Sequence, residues 1–444
     1  MPGSSLPMRL MPGELLRRWR TSLGRWALRE EAYRAAWPLL RSAAALYRLT
    51  AVHDTRFVAV IGSLGKTTTA RAVHAALHAS HQYRVGPSQW TGLAYRVLCT
   101  PPGSRHKVLE VGVDGFGQMR RSAALLRPDI AVVTSIAGEH NRSFRTLAVT
   151  RHEKSAMVAA LPSDGVAVLN GDDPNVMWMA GRTRARVITC GFGRDNTVRA
   201  EGVSLCWPHG TSFRLVAAGK SRHVRVRLIG VHMARCVLAA VATALAEGIS
   251  LEECLPRLEQ LEPTVGRMQP VSLPGGAFIL RDDYKSTLET MDAALDTLAQ
   301  VEARRRIVVF GAVTEPPGST GPIYRRLGSR VAGIASLAIF VGGSARRYAS
   351  GARRAGMPGN RIIRIEQGIR EAVDALRNEL REGDVALIKG RREQRLERIT
   401  LSLTGRTVHC GLSVCRIGGL QCEDCPRLER WPPEDPRSRP PKTA

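Results

Sequence analysis

The chain has 444 residues, of which 44% are hydrophobic and 5% are aromatic. This length allows two or three domains, and the composition predicts cores of Ala, Leu, Val and Ile, as in α/β sheets covered by helices. Lysine and arginine total 65 against 39 acidic residues, and the resulting net charge of +26 predicts attraction to anions. The sequence contains no motif that reads RNA or DNA and no apolar run long enough to span a bilayer. We therefore expect neither a specific nucleic-acid partner nor a membrane-spanning protein.

Residues 1–50 form a basic segment with a helical pattern. Arginine alternates with tryptophan or leucine at residues 17–20 and 25–26, and an apolar stretch follows at 35–46. This mixture suits a helix that lies on an acidic bilayer, and it equally suits a helix that packs on the next domain. Because no signal-peptide cleavage pattern follows, we expect a cytoplasmic protein and leave peripheral contact with an acidic membrane open.

Residues 58–69 read VAVIGSLGKTTT, in which a β-branched apolar run leads into a Gly-Lys-Thr turn and the start of a helix. The glycines let backbone amides approach phosphate oxygens, the lysine brings positive charge to the outer phosphates, and the first threonine can hold Mg²⁺. Val60 replaces the first glycine of the general P-loop signature, so the motif is the shorter G-x-x-G-K-T-T. The residues predicted to bind the nucleotide in this turn are Gly62, Gly65, Lys66, Thr67 and Thr68.

Further motifs follow in order along the chain. In the first half they are LEVG at 109–112, RPDIAVVTSI at 127–136 with Glu139 and His140 after it, EKSAM at 153–157 and GVAVLNGDD at 165–173. In the second half they are GVH at 230–232, GRM at 266–268, DDYKST at 282–287, RIVVFG at 306–311 and GDVALIKG at 383–390. This series resembles the Mur ligase family, the ATP-dependent amide-forming enzymes of peptidoglycan assembly, and is most similar to the branch that adds D-alanyl-D-alanine.

The resemblance implies an α/β fold in which a P-loop-type, doubly wound central ATPase domain precedes a smaller Rossmann-like α/β domain. Strand and helix patterns also alternate from residue 51 onwards, and Glu262-Pro263-Thr264 has the composition of a linker. We expect the central domain at 51–262 and the C-terminal domain at 263–404. Members of the family carry a separate N-terminal domain that binds the UDP-sugar, whereas only residues 1–50 precede the P-loop strand here, which leaves the acceptor open.

The same resemblance implies roles for individual residues. The ligands implied for Mg²⁺ are Thr67, Glu110, His140 and Lys154, the last as a carbamylated lysine. Further contacts with the nucleotide are implied for His232 and Arg267. The residues implied to carry catalysis are Lys66, Lys154, Asp283 and Lys285. Met233 and Cys236 stand where the family has two asparagines, the second of which contacts the base, so the sequence does not define a base preference.

These roles are chemically reasonable without the family. Phosphoryl transfer needs positive charge at fixed positions, which Lys66 and basic residues of the second domain could supply. Mg²⁺ prefers oxygen ligands and keeps several waters, so one or two carboxylates are sufficient. Each side chain also has an ordinary structural reading: a solvated strand-end acid for Glu110, a capping or core histidine for His140, an exposed helix lysine for Lys154, and a polar turn for Asp283 and Lys285.

Residues 405–444 are predicted to be a cysteine-rich tail that ends in a disordered stretch at 431–444. Four of the nine cysteines lie close together there: Cys410, Cys415, Cys422 and Cys425. In a reducing compartment they could hold one Zn²⁺ as tetrahedral thiolates, remain free thiols or form a redox pair. An iron–sulfur cluster is a further alternative.

The sequence therefore predicts an ATP-dependent ligase that activates a carboxylate as an acyl phosphate and forms an amide with an amine. Its expected partners are ATP with Mg²⁺, a carboxylate acceptor, and an amino acid or dipeptide as the amine. Two alternatives stay open: a ligase of the same fold acting on a carboxylate without UDP, and a nucleotide-binding regulatory protein that has lost catalysis. The changed positions Met233 and Cys236 are the feature that favours the second alternative.

Overall fold

The computed structural model describes residues 22–79, 90–138, 141–366, 368–415, 417 and 420–430, together with Leu16 and Trp19. Its first elements are two helices, α1 (Ser22–Ala35) and α2 (Trp37–Thr50). A proline lies in the first turn of α2, where the missing amide hydrogen removes no helical bond. Among the described residues, every helix is too short or too polar to cross a lipid bilayer.

Helix α2 is attached to the rest of the chain by a buried arginine. The Arg48 guanidinium donates to the carbonyls of Val52 at 2.9 Å and Leu126 at 3.0 Å, and to the Asp129 carboxylate at 3.3 Å. Ala44, one turn earlier, is fully buried in the same contact. Helix α2 therefore packs on the central domain, which is one of the two arrangements expected from its sequence.

The central domain is built on an eight-stranded sheet. Its strands are β1 (Arg56–Ile61), β2 (His106–Glu110), β3 (Ile130–Val133), β4 (Val166–Asn170), β5 (Arg186–Gly191), β6 (Val198–Cys206), β7 (Gly210–Ala217) and β8 (Lys220–Val226). They lie in the order β2-β1-β3-β4-β5-β6-β7-β8, with β1 to β6 parallel and β7 and β8 antiparallel. The carboxyl ends of the parallel strands thus share one edge, which is where ligands bind in such sheets.

Helices cover both faces of this sheet. They are α3 (Lys66–Ala76), α4 (Trp90–Leu98), α5 (Gln118–Leu126), α6 (Asn141–Phe144), α7 (Leu147–Ala159), α8 (Pro174–Met177), α9 (Val231–Ala246) and α10 (Leu251–Glu259). Along β1 the apolar side chains alternate between two separate cores, with Val58 and Val60 in one and Phe57, Ala59 and Ile61 in the other. This alternation explains why the strand reads as a continuous apolar run, since both of its faces are buried.

The second domain contains a six-stranded sheet in the order β13-β12-β11-β14-β10-β9, parallel except for β9 at the edge. The strands are β9 (Gln269–Ser272), β10 (Phe278–Arg281), β11 (Arg306–Phe310), β12 (Leu337–Val341), β13 (Ile362–Ile365) and β14 (Val385–Lys389). The helices are α11 (Leu288–Gln300), α12 (Thr320–Ala332), α13 (Ala345–Arg354), α14 (Ile369–Glu379) and α15 (Glu397–Leu403). The predicted fold class, a doubly wound central domain followed by a smaller Rossmann-like domain, is confirmed.

The chain beyond α15 is held on the second domain by two buried arginines. Arg395 is 3% exposed and Arg398 is 1% exposed, and each donates to backbone carbonyls of the tail. The acceptors are the carbonyls of Ile417 and Leu420 for the first, and of Cys410 and Leu412 for the second. The tail is therefore docked through its described residues between 410 and 428, and residues 431–444 lie outside the described residues.

The predicted zinc site in this tail has no support in the structure. The four tail cysteines are free thiols, and within the described ranges no group of three or more His, Cys, Asp or Glu side chains is arranged to hold a metal ion. Cys410 Sγ lies 3.5 Å from Nη1 of Arg398, whereas Cys422 is buried against Leu401 and Leu428. Burial and the nearby Glu397 carboxylate raise the pKa of the Cys422 thiol, which opposes the thiolate form that a zinc ligand requires.

Replacing Arg48 tests how α2 is attached. We expect Arg48→Ala to lower the free energy of unfolding by about 3 kcal/mol, because buried carbonyls and the Asp129 carboxylate lose their donor. Arg41→Ala, at an exposed arginine two turns earlier in the same helix, is the matched control and should stay within about 0.5 kcal/mol of the wild type. Urea unfolding followed by circular dichroism measures both variants. Equal stability of the two would show that Arg48 does not anchor the helix.

Candidate active site

A cavity of about 750 Å³ lies between the two domains, at the carboxyl ends of the parallel strands of both sheets. The central domain lines it with the turn after β1, with the ends of β2, β3 and β4, and with the first turn of α9. The second domain contributes nine residues: Arg267, Asp282, Tyr284, Lys285, Glu289, Thr290, Ala293, Lys389 and Arg392. The cavity has the size typical of ligand sites and lies where α/β sheets bind ligands.

The turn after β1 needs its two glycines for different reasons. Gly62 has φ +134°, and a Cβ there would overlap the hydroxyl of Thr134 on the neighbouring strand. Gly65 has φ +79° and caps α3 in the left-handed conformation, without a side chain over the first turn. An L-residue at either position would be strained. The backbone can therefore pass close to a ligand at the positive end of α3, as the predicted phosphate site requires.

Three lysine ammonium groups converge on two residues of this turn. Lys66 Nζ donates to the carbonyls of Gly62 at 2.9 Å and Ser63 at 3.1 Å. Lys154 Nζ, from α7, donates to the Gly62 carbonyl at 2.7 Å and to the Ser63 hydroxyl at 3.0 Å. Lys285 Nζ reaches across from the second domain to the Ser63 carbonyl at 3.1 Å. The three charges come from three separate parts of the chain, and the predicted lysines are thus brought together.

The predicted Mg²⁺ ligands are partly brought together. The Thr67 hydroxyl donates to Oε2 of Glu110 at 2.8 Å, and this carboxylate is 8% exposed at the end of β2. A hydroxyl and a carboxylate are hard oxygen donors and suit Mg²⁺, which keeps several of its waters. The Lys154 side chain, whose carbamylated form the resemblance implies as a ligand, lies at the phosphate-binding turn, where its Nζ is 2.7 Å from the carbonyl of Gly62. His140 lies outside the described residues.

The first turn of α9 forms another wall of the cavity. Burial lowers the pKa of His232 to about 4 despite the opposing effect of Asp282, so the imidazole is neutral near pH 7. The Cys236 thiol donates to the carbonyl of Gly65 at 3.9 Å, which places it against the phosphate-binding turn. The two positions where the family has asparagines, Met233 and Cys236, are both buried.

An ion pair beside α9 was not predicted from the sequence. The Arg235 guanidinium lies 4.1 Å above the ring of Phe192 and 3.3 Å from Oδ2 of Asp172. Burial acts to raise the pKa of Asp172, but hydrogen bonds from the backbone amides of Gly193 and Phe192, together with Arg235, outweigh it and the pKa is lowered. This aspartate therefore stays ionised and fixes the arginine at the rim of the cavity.

The second domain adds a buried ion pair that the sequence analysis also missed. Lys389, at the end of β14, is fully buried, pairs with the Asp282 carboxylate and donates to the carbonyl of Lys285 at 2.7 Å. Burial lowers the pKa of Lys389, and Asp282 opposes this effect. The pair fixes the backbone of the segment that carries Lys285. The sequence did contain a signal for this ion pair, since Lys389 ends one apolar strand of the second sheet and Asp282 directly follows another.

Two arginines of the second domain share one aromatic ring. The guanidinium carbon of Arg267 lies 4.5 Å from the centre of the Tyr284 ring, and that of Arg392 lies 4.9 Å from it. Cation–π contacts of this kind hold a guanidinium in place while leaving its N–H groups able to donate. Both arginines line the cavity, so the predicted role of Arg267 in binding phosphate has the geometry it needs.

Asp283 is the predicted catalytic residue whose position differs most from the expectation. Its Oδ2 accepts from Nε of Arg281 at 2.8 Å, on the side of the segment that faces the tail, while Asp282 faces the cavity. Burial raises the pKa of Asp283 to about 7, with Arg281 opposing and Glu397 adding to the shift. Successive residues of an extended segment point to opposite sides, and the sequence alone did not show which aspartate points inwards.

The comparisons with known proteins agree with this geometry. The family model of the Mur ligase middle domain matches residues 60–244, and that of the Mur ligase glutamate ligase domain matches residues 266–392. A UDP-N-acetylmuramoyl-tripeptide–D-alanyl-D-alanine ligase of Mycobacterium tuberculosis is 30% identical over 356 residues, which span 75% of this chain and 69% of that protein. The enzyme of the same name from Bacillus subtilis is 25% identical over 355 residues, 79% of this chain and 76% of that protein.

Solved structures show the same fold. MurF from Acinetobacter baumannii superposes with a TM-score of 0.73 at 23% identity, covering 83% of this chain and 80% of that one. MurF from Thermotoga maritima, in complex with ADP, gives a TM-score of 0.72 at 19% identity and covers 83% of each chain.

The chain therefore belongs to the Mur ligase family. It is an ATP-dependent peptide ligase of the Mur type, and the alternative of a regulatory protein without catalysis is not favoured.

Lysine replacements separate nucleotide binding from chemistry. We expect Lys66→Ala to abolish substrate-dependent ADP release, whereas Lys285→Ala should keep nucleotide affinity and slow turnover about a hundredfold, the effect of losing one charge in the transition state. The control is Lys220→Ala, which should leave turnover unchanged. Lys220 begins β8 and forms an exposed ion pair with Glu252. Calorimetric titration with a non-hydrolysable ATP analogue and a coupled ADP assay give the two quantities. A Lys285→Ala enzyme with unimpaired turnover would remove this lysine from the mechanism.

Proposed function

We propose that this enzyme transfers the γ-phosphoryl group of ATP to a substrate carboxylate and that an amine then attacks the acyl phosphate. The products are an amide, ADP and inorganic phosphate. The attacking nitrogen forms the C–N bond, loses a proton and expels phosphate from the carbonyl carbon. The observation that carries the proposal is the convergence of Lys66, Lys154 and Lys285 on the turn after β1.

The electrostatics of this convergence favour a phosphoryl group between the domains. Like charges held within hydrogen-bonding distance of two neighbouring residues repel one another strongly where water is scarce. A polyphosphate bound in the cavity relieves this repulsion, and transfer of the γ-phosphoryl group keeps negative charge in the same place. Because Lys285 belongs to the second domain, its contact with Ser63 also links domain closure to the presence of the anion.

Mg²⁺ fits the pair of oxygen donors on Thr67 and Glu110, where it would neutralise phosphate charge during transfer. The arginines on the opposite wall, Arg267 and Arg392, are placed to hold either phosphate or the substrate carboxylate. The Lys389–Asp282 pair holds the Lys285 segment in position rather than contacting the reacting atoms.

For the substrates, we propose a UDP-N-acetylmuramoyl-tripeptide as the carboxylate and D-alanyl-D-alanine as the amine. The names of the Mycobacterium tuberculosis and Bacillus subtilis relatives support this pair. A relative from Geobacillus kaustophilus, 28% identical over 313 residues, is a UDP-N-acetylmuramoyl-L-alanyl-D-glutamate–2,6-diaminopimelate ligase, which makes diaminopimelate the natural competing amine to test.

Trapping the acyl phosphate tests the reaction class. With ATP, Mg²⁺, the tripeptide substrate and hydroxylamine in place of the amine, we expect a hydroxamate of the substrate together with ADP and phosphate. With D-alanyl-D-alanine the same mixture should give the amide, and diaminopimelate should give none. Mass spectrometry of the products and ion-exchange separation of the nucleotides measure this. Release of AMP and pyrophosphate, with an acyl adenylate in place of the acyl phosphate, would contradict the proposal.

We also propose that the exposed face of α2 rests on an anionic bilayer. Leu39, Leu46 and Leu49 lie on one side of this helix and are 77%, 63% and 48% exposed. They are spaced by seven and three residues, which places them on a common stripe. An exposed apolar stripe on a helix, in a chain of net charge +26, matches the pattern of an interfacial helix.

A double replacement on this stripe tests the membrane contact. We expect Leu39→Gln with Leu46→Gln to reduce sedimentation with phosphatidylglycerol liposomes at least tenfold, since about 3 kcal/mol of apolar burial is lost. Leu147→Gln, at a leucine of the central domain that is 44% exposed, is the control. Deleting the whole segment would be a poorer experiment, because Ala44 and Arg48 are part of the folded core. Equal sedimentation of all three proteins would refute the contact.

A further inference from the structure

The docked tail contacts the reverse side of the segment that carries Lys285. Glu423, in the tail's 3₁₀ helix (Cys422–Asp424), forms an ion pair with the Arg281 guanidinium at the end of β10. The same guanidinium donates to Asp283 at 2.8 Å, so it is shared between the tail and the segment 282–287. Arg281 is 6% exposed and Asp283 is 3% exposed, so the ion pair between them is buried.

A second route connects the tail to another cavity-lining segment. The Cys415 amide donates to the carbonyl of Glu393 at 2.7 Å, within the 3₁₀ helix Arg392–Gln394. Arg392 begins that helix and lies over the Tyr284 ring. The Arg395 guanidinium, just beyond the helix, holds the tail carbonyls. Two of the segments of the second domain that line the cavity are therefore supported from behind by described residues of the tail.

The supported segments bear the side chains that the proposed mechanism uses. Asp282 and Tyr284 point to the cavity, Lys285 reaches the central domain, and Asp283 points back to Arg281. The backbone of this segment is held from several sides: the Asp282 amide donates to the carbonyl of Ile388 at 2.9 Å, the Lys285 carbonyl accepts from Lys389 Nζ at 2.7 Å, and the Ser286 carbonyl accepts from the Thr314 amide at 2.8 Å. It is held less closely at Tyr284, whose amide donates to the carbonyl of Gly266 at 3.4 Å. The ion pair between Arg281 and Asp283 supports the segment at this point.

We propose that the tail is a positioning element for catalysis, with Glu423 and Arg281 as positioning residues that hold the 282–287 segment so that Lys285 meets the phosphoryl group. The expected effect on kcat rests on the proposed function, whereas the expected effect on the backbone of residues 282–287 does not. The tail lies beyond residues 60–244 and 266–392, which match the family models. The supporting contacts therefore come from a part of the chain that the family models do not describe.

The test compares two glutamates of the tail. Glu423→Gln removes the charge that pairs with Arg281 and keeps the shape. Glu429→Gln removes an equivalent charge from the exposed ion pair with Arg406, which contacts the tail at the Glu423 carbonyl but leaves the ion pair between Glu423 and Arg281 intact. We expect Glu423→Gln to lower kcat for amide formation about tenfold, a loss typical of slight misplacement, with KM for ATP and the melting temperature nearly unchanged. Glu423→Asp, which keeps the charge, should recover part of the loss, and Glu429→Gln should behave as the wild type.

Hydrogen exchange supplies a readout that does not depend on activity. In Glu423→Gln the amides of residues 282–287 should exchange about tenfold faster, whereas strands β1 and β11 should keep their wild-type rates. Faster exchange throughout the second domain, or a fall in melting temperature with unchanged kcat per folded enzyme, would show that the tail serves stability alone and would overturn the proposal. Unchanged kcat and unchanged exchange would overturn it as well. A wild type that forms no amide, with local exchange still altered by Glu423→Gln, would refute the proposed reaction and leave the positioning role standing.

Discussion

The contact of three ammonium groups with Gly62 and Ser63 is the constraint on which the rest of the structure depends. Lys66, Lys154 and Lys285 come from a turn, a helix of the central domain and a segment of the second domain. Because like charges repel strongly where water is excluded, each ammonium needs acceptors, and the backbone carbonyls of this turn supply them. The two domains thereby bring positive charge to the place where a phosphorylated ligand is proposed to bind.

The fold meets this constraint by holding the three lysines on or beside rigid elements: Lys66 begins α3, Lys154 lies in the middle of α7, and Lys285 lies four residues beyond β10. β1 is buried on both faces and delivers the glycine turn at its carboxyl end, with α3 beginning immediately afterwards. In the second sheet, β10 and β14 are neighbours and end at the same edge, so Asp282 and Lys389 meet there and fix the backbone beside Lys285. Open α/β sheets concentrate ligand-binding residues at this edge for the same geometric reason. The register between β10 and β14 therefore determines where the side chains that follow these strands lie in the site.

Much of the fold and part of the site could be predicted from the sequence, because the strongest signals are local. Continuous apolar strands and the Gly-Lys-Thr turn do not depend on distant residues, and both are present as expected. The side to which Asp283 points was not predictable, since it depends on Arg281 and on a tail residue, Glu423, far along the chain. The cysteine spacing of the tail suggested a metal site, but buried guanidinium groups that bond its carbonyls hold the tail instead. Such long-range polar contacts leave no periodic pattern in a sequence.

The end of the cavity at α9 shows how a family position can change without loss of the fold. An asparagine presents a donor and an acceptor together, which is the pairing needed to read the edge of an adenine. Cys236 offers one weak donor, which is already directed at Gly65, and Met233 offers none. Asp172 and Arg235, which pair with each other, and the neutral His232 also lie at this end. The first turns of α9 therefore lack the paired donor and acceptor of an asparagine, whereas the lysines at the turn after β1, which carry the proposed phosphate binding, do not depend on these positions.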